Sequence, residues 1–359
     1  MIIKKLLLER FRLHNSLLLE FVQPTVVIIG ANASGKTSIV EAIQLIATGN
    51  SFRAEKIQEM ISFEHELGRV KSIVAVEPEQ SIESALSGEE QAPAEELELE
   101  VLLTRGEVQG KKTQSRLFSV NGVRRQKRTM VGQLKVVSFR PEDMRLIEGS
   151  PSRRREFLDM PLMLLSSEYE QALTNYENIL KRRNRLLEAV REREQPRSVL
   201  QYWNMGLLKY GTILQQMRRD FIGSFATVSF PYDFAIEYQP SVISQERQDE
   251  YIEREIASGH SLIGPHKDDF IVTMAAPPAV KNEERVNVAV YGSRGQQRLA
   301  VLWLKTCELE YITSSTQQYP VLLLDDILSE LDPDSRELVT ELLGKTQAIV
   351  TTIDESGVA

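Results

Sequence analysis

A chain of 359 residues with 42% hydrophobic and 26% charged side chains can bury a substantial core, and its length suits about two domains or lobes. Its most apolar late run, Val321 to Leu324, ends at two aspartates, far short of a membrane helix, and its one cysteine leaves no disulfide framework. The net charge of −8 argues against a globally basic polyanion binder, so any contact with nucleic acid must rest on local charge.

Met1 to Phe11 is interrupted by Lys4, Lys5, Glu9 and Arg10, unlike a secretory leader, and a cytoplasmic, reducing location is expected. Strands are expected at Ile2 to Leu8, Leu17 to Phe21 and Val26 to Ile29, then a helix from Lys36 to about Ala47. Two more strands, Val70 to Val76 and Leu97 to Thr104, flank a Glu-rich stretch, 77–100, which reads as a loop without chemical role. From Arg105 to Arg155 the balance reverses, with fourteen Lys/Arg against four Asp/Glu.

Between residues 151 and 226 the pattern becomes helical. Leu173, Tyr176, Leu180, Leu187 and Val190 recur at three- and four-residue steps, a break follows at Gln195 and Pro196, and a second periodic stretch runs from Val199 to Phe225. An antiparallel helical hairpin is expected. Strand signals return at Phe234 to Tyr238, Phe270 to Met274 and Val286 to Val290. A helix from Gly295 to about Ile312 then carries Cys307 as a core residue. The histidines 14, 65, 260 and 266 lack metal-ligand spacing, so no zinc site is expected.

Gly30-Ala31-Asn32-Ala33-Ser34-Gly35-Lys36-Thr37, followed by Ser38, fits the phosphate-binding loop G-x-x-x-x-G-K-[ST], placed after an apolar strand and before a helix. Its glycines let backbone N–H groups surround phosphates, Lys36 reaches the outer phosphates and Thr37 ligates magnesium. Pro320 to Asp326 is an apolar strand ending in two carboxylates: Asp325 is expected to hold magnesium, and Asp326 to orient or deprotonate the attacking water. Ser293, Gly295 and Gln296, within 293–298 at a helix start, resemble an ABC signature, although a capped helix start reads the same way. The order P-loop, signature, Walker B is that of ABC-type heads. Ser329 and Asp332 then resemble the loop through which paired heads touch.

The expected fold is therefore α/β: a P-loop ABC-type ATPase head with mixed β-sheets, formed by 1–145 and 255–359, carrying Walker A at 30–37, the signature at 293–298 and Walker B at 321–326. An α-helical lobe is inserted at 146–254. The 257 positions between Lys36 and Ser293 exceed what a compact transporter ATPase needs, which favours a DNA-type head.

Further strings run the length of the chain: Leu8 to Arg12, Glu41-Ala42-Ile43, Ser51-Phe52-Arg53, Asn121-Gly122, Phe139 to Asp143, Gly149-Ser150-Pro151, Arg153 to Asp159, Gly264 to Asp269 and Ile349 to Thr352. Together they resemble the RecF family of bacterial DNA recombination and repair ATPases. The resemblance implies ATP sandwiched between two chains, ATP-dependent dimerisation, binding to single- and double-strand DNA at gaps or junctions, and loading of RecA with RecO and RecR. It also implies slow, DNA-dependent hydrolysis. Asp326 stands where most ABC enzymes have a longer glutamate, and a threonine stands where many place a histidine. Lys111, Lys112, Arg124, Arg125, Lys127, Arg128 and Arg153, Arg154 and Arg155 are the candidates for sequence-independent phosphate contacts, with Arg105 and the helical patch Lys181, Arg182, Arg183 and Arg185 beside them. A chromosome-maintenance head that uses ATP as glue and a transporter ATPase remain as alternatives; the first calls for a long coiled coil, the second for no basic segment.

Overall fold

The computed structural model describes residues 1–76, 95–276, 284–327, 331 and 333–353. The fold divides into two compact units, Met1–Asp143 with Glu308–Ala359, and Met144–Cys307. The residues 255–307, which the sequence partition joins to the head, group by their contacts with the second unit.

The first unit contains two sheets. Six antiparallel strands run in the order His14–Glu20, Ile2–Phe11, Leu67–Val76, Glu95–Thr104, Arg116–Val120, Val123–Arg125. In Ile2–Phe11 strict alternation would bury only part of the apolar set. A register shift between Ile3 and Lys5 lets Ile3, Leu6 and Leu8 all reach the core, each 0% exposed. The outer face is held by cross-strand ion pairs, among them Lys4–Glu96, Lys5–Glu20 and Lys71–Glu98. Glu96 and Glu98 thus belong to a paired strand. The strand expected from Leu97 starts at Glu95, which corrects the loop reading at its end, and 77–94 lie outside the described residues.

The second sheet is parallel, in the order Val136–Phe139, Val321–Asp325, Ala348–Thr352, Thr25–Ile29. Its first three strands are buried at every residue, as strands covered on both faces must be. Thr25–Ile29, at the edge opposite Val136–Phe139, is only partly buried. The helix Lys36–Thr48 leaves that edge and touches strands of both sheets; twelve of its thirteen residues are buried, which is why its sequence is apolar nearly all round.

In the second unit, Pro151–Leu165 precedes two long helices, Ser167–Arg191 and Leu200–Gly223. Their cross-contacts fix an antiparallel register. Arg183 meets Asn204, Tyr176 lies against Gly211 and Tyr169 bonds Arg218, a step of seven residues each way. This is coiled-coil-like spacing, carried by polar and aromatic residues instead of aliphatic ones. A three-stranded antiparallel sheet, Phe234–Gln239, Asp269–Ala275 and Arg285–Asn287, completes the unit with the helix Gln245–Ser258. The strand expected through Val290 stops at Asn287, whose side-chain oxygen accepts from the Ala289 amide and turns Val288–Tyr291 into a helical turn. Cys307 is fully buried. Among the described residues no helix is long and apolar enough to cross a membrane.

Candidate nucleotide site and basic surfaces

The loop Gly30 to Gly35 leaves the carboxyl end of the edge strand, the position at which open α/β sheets bind ligands. Its shape requires left-handed backbone at Ala33 and Gly35, with φ of 64° and 98°. Gly30 is tied to the neighbouring strand by its amide, which donates to the Thr352 carbonyl at 3.2 Å. Ala31 to Ser34 remain exposed, while Lys36 and Ser38 are buried at the helix start. The Lys36 ammonium donates to the carbonyls of Gly30 at 2.6 Å and Ala31 at 3.0 Å. Among the described residues it forms no ion pair, so its charge is left for an anion.

Two strands away, Asp325 ends Val321–Asp325. Its Oδ1 accepts from Thr37 Oγ1 at 3.1 Å and from Thr351 Oγ1 at 2.7 Å. Residues 288 positions apart are thus brought into one corner. The Asp326 amide donates to the Thr351 carbonyl and hydroxyl, and Asp326 adopts φ of 53°, a left-handed turn directly after the strand. Burial pushes the Asp325 carboxyl above its ordinary value; hydrogen bonds from Thr351 and Thr37 oppose this, while the charges of Glu142 and Asp326 add to it. A hydroxyl and a carboxylate, with further carboxylates nearby, form a hard-oxygen set suited to magnesium, and the uncompensated Lys36 at the loop suits the phosphates of ATP. These residues fit the expected pair of cofactors.

Glu142 adds a carboxylate to this corner that no sequence motif marks: it follows the strand Val136–Phe139, which only the pairing with Val321–Asp325 places beside Walker B. Another such string is structural. Glu41, fully buried, accepts from Arg12 Nε and Nη2 at 2.8 and 2.7 Å and from Ser51.

In the second unit, Ser293 and Gln296 bond each other reciprocally: the Ser293 amide donates to Gln296 Oε1 at 2.8 Å, and the Gln296 amide to Ser293 Oγ at 3.3 Å. This is a capping box starting the helix Arg294–Thr316, with Ser293 exposed. Ser329 and Asp332 lie outside the described residues.

The comparisons with known proteins bear on the whole chain. The family described as RecF/RecN/SMC N terminal domain matches residues 2–359. DNA replication and repair protein RecF of Bacillus cytotoxicus is 33% identical over 383 residues, covering 100% of this chain and 93% of the relative. The chain belongs to the RecF family. RecF of Bacillus thuringiensis is similar at 34% identity over 384 residues, with 100% and 93% coverage. A solved structure described as the recombination mediator protein RecF-ATPrS in the RecFOR pathway matches with a TM-score of 0.82 and 27% identity, over 100% of this chain and 94% of that one. The chain is thus a P-loop, ABC-type ATPase of the RecF family.

The basic candidates of this RecF-family chain separate into two groups. Lys111, Lys112, Arg124, Arg125 and Arg128 are exposed. Arg154 is not available for an outside phosphate: its Nε and Nη2 hold both oxygens of Asp269, at 2.5 and 2.9 Å. Arg155 is bound to the Asp268 carbonyl, and Arg105 to carbonyls of the segment Ser62 to His65. Arg183, expected on a helical surface patch, is 1% exposed and paired with Glu255 at 2.6 Å. In each case a carboxylate or carbonyl within the fold satisfies the guanidinium, which linear charge counting cannot register. Lys181, Arg182 and Arg185 stay exposed, and no ion pair with Glu177 or Glu188 forms among the described residues.

Proposed function

We propose that this RecF-family protein is a slow, DNA-dependent ATPase whose ATP-dependent homodimer binds gapped or junction DNA and, with RecO and RecR, promotes loading of RecA. The observation that carries the reading is the meeting of Thr37 with Asp325 beside a P-loop lysine that has only carbonyl partners. Gly30 to Ser38 hold the phosphates through backbone N–H groups and Lys36, while Thr37 and Asp325 hold magnesium. When bound, the metal supplies charge neutralisation at the transferring phosphoryl group. Asp326 orients or deprotonates the attacking water, and its shorter side chain suits slow turnover.

Ser293, Gly295 and Gln296 of one chain cover the terminal phosphate held by the other, and Ser329 and Asp332 line the contact between heads. The exposed cations Lys111, Lys112, Arg124, Arg125 and Arg128, with the half-buried Lys127 beside them, contact DNA phosphates without reading sequence. Arg153 is a weaker candidate beside its two neighbours that the fold has already used. This switch works in the cytoplasm.

The test is the solution mass of the Asp326→Asn protein with and without ATP and magnesium, and with a gapped duplex added. ATP-dependent doubling together with DNA binding is the expected result. A monomer indifferent to both would sink the clamp and leave only a P-loop ATPase fold.

A further inference from the structure

In the first unit a cavity of about 570 Å³ opens beside the sheet edge, lined by Gln114, Arg116, Arg124, Arg125, Gln126 and Lys127 among others. Four of its lining residues are cationic and none is acidic. A tight hairpin builds it: Arg116–Val120 pairs with Val123–Arg125 through the turn Asn121-Gly122, both residues at positive φ. Arg124 is braced by Gln114 at 2.7 Å, while Arg125 makes no side-chain hydrogen bond or ion pair among the described residues.

Arg116 distinguishes the cavity from an ordinary basic surface. It is half-buried, burial lowers its pKa, and it forms no ion pair among the described residues. Its Nη1 donates to the Gly49 carbonyl at 2.5 Å and to Asn50 Oδ1 at 2.8 Å. Gly49 is the left-handed C-cap of the P-loop helix Lys36–Thr48, and the Lys127 stem packs against it. The Arg116 Nε and Nη2 make no hydrogen bond to a described residue, and Arg116 is among the residues that line the cavity, so it retains donors for an anion there. The one aromatic lining residue, Phe118, is buried, so no ring is offered for a base to stack on. The chemistry recognised is a phosphate group, not a nucleoside.

We propose that this cavity binds a phosphate of the DNA backbone, and that Arg116, shared between that phosphate and the C-cap of the P-loop helix, is the positioning residue through which DNA acts on ATP turnover. The proposal rests on the DNA-binding reading above and names one site and one route within it. A free polyphosphate has the same chemistry, and the test separates the two sources.

Binding of a gapped duplex is measured across salt for wild type and Arg124→Gln/Arg125→Gln, with inorganic pyrophosphate as the free-anion probe. Each lost phosphate contact lowers the salt slope by about 0.7–0.9, so the double variant, which loses the one contact made in the cavity, is expected to lose about that much slope and roughly tenfold in affinity at moderate salt. Arg116→Lys keeps the charge but loses the fork; the readout is the ratio of its turnover with DNA to its turnover without, which is expected to fall to about one while wild type responds. Its melting temperature reports whether the helix cap has failed instead, in which case Arg116→Gln with the same two rates decides.

Unchanged DNA affinity and slope in the double variant would overturn the site. So would loss of pyrophosphate binding with DNA binding intact, which would assign the cavity to a free anion. A DNA response preserved in both Arg116 variants would reduce Arg116 to a helix cap. Wild-type protein that binds no DNA at all would instead defeat the clamp reading itself.

Discussion

Two regions of the molecule concentrate charged residues from family-like strings, and they use them in opposite ways. Around the P-loop, Lys36 meets only two carbonyl oxygens, Ala31 to Ser34 face solvent, and burial with the nearby Glu142 and Asp326 pushes the Asp325 carboxyl upward. In the second unit, Arg153 to Asp159 and Gly264 to Asp269 are stitched together. Arg218, 2% exposed, donates to Asp159 at 2.8 Å and Asp268 at 2.9 Å; Asp268 also accepts from Gln215, the Ser241 amide and Tyr238. A lysine to which the fold gives only carbonyl partners among the described residues awaits an anion, whereas a network closed on itself is scaffold. A shared string alone does not say which of the two it encodes.

The sharpest way to break this distinction is Arg218→Met. Removing one partner of a buried ion pair leaves Asp159 and Asp268 uncompensated, and the expected cost is about 3–5 kcal/mol, a large fraction of a typical domain's stability. A urea unfolding series should show the midpoint fall steeply for the second unit. Unchanged stability with impaired ATP turnover would move the network from scaffold to mechanism.

Lys36→Ala should do the reverse. The loss of a charged donor to phosphate is expected to weaken ATP binding by roughly 3 kcal/mol, about a hundredfold. The change in stability should stay near 1 kcal/mol, because only two hydrogen bonds to carbonyls are lost. Calorimetric ATP titration and thermal melting of the same sample would separate the two effects.

The network region also predicts a pH effect. His266 accepts from Tyr176 at Nδ1 or donates to it, and its Nε2 lies 3.0 Å from the Ser261 carbonyl, so the neutral ring with Nε2–H toward Ser261 satisfies both contacts. Burial depresses its pKa, with Lys267 and Arg155 acting in the same direction. The folded state therefore binds fewer protons than the unfolded state just below the ordinary histidine pKa. Stability should fall as pH drops through that value toward the depressed one, and be fully present above it. Relative to His266→Gln, wild type should lose ground between about pH 7 and 5. Parallel melting curves for the two proteins would refute the idea.

The contrast also explains what was legible in the sequence. The P-loop and Walker B were readable because each packs its chemistry into a few consecutive residues after an apolar strand. Their meeting through Thr37 and Asp325 is the kind of contact the motif order implies. The helix Gln245–Ser258 escaped notice because two of its three buried residues, Gln248 and Glu255, are polar; its core face is made by Arg183 pairing with Glu255, which no hydrophobic period reports. Nor does linear charge report that Arg154 and Arg183 are taken up by Asp269 and Glu255. Arg116, the residue with the clearest tie to the P-loop helix, was one arginine among fourteen cations until its partners were known.

Ser293 offers the smallest change in stability and the finest division between the two kinds of region, since it belongs to a capping box and is also the expected signature residue. Ser293→Ala removes the cap and should cost about 1 kcal/mol, whatever the protein does with ATP. Ser293→Asp keeps a side-chain oxygen for the Gln296 amide, and its charge is favourable at a helix N-terminus, so stability should stay within about 0.5 kcal/mol. If the serine of one chain faces the terminal phosphate held by another, that same aspartate sets like charge against like, and ATP-dependent doubling of mass should be lost. Light scattering of the two variants with ATP would decide. Doubling preserved in Ser293→Asp, with the stability loss confined to Ser293→Ala, would make Ser293 a helix cap alone, with no part in covering a partner's nucleotide.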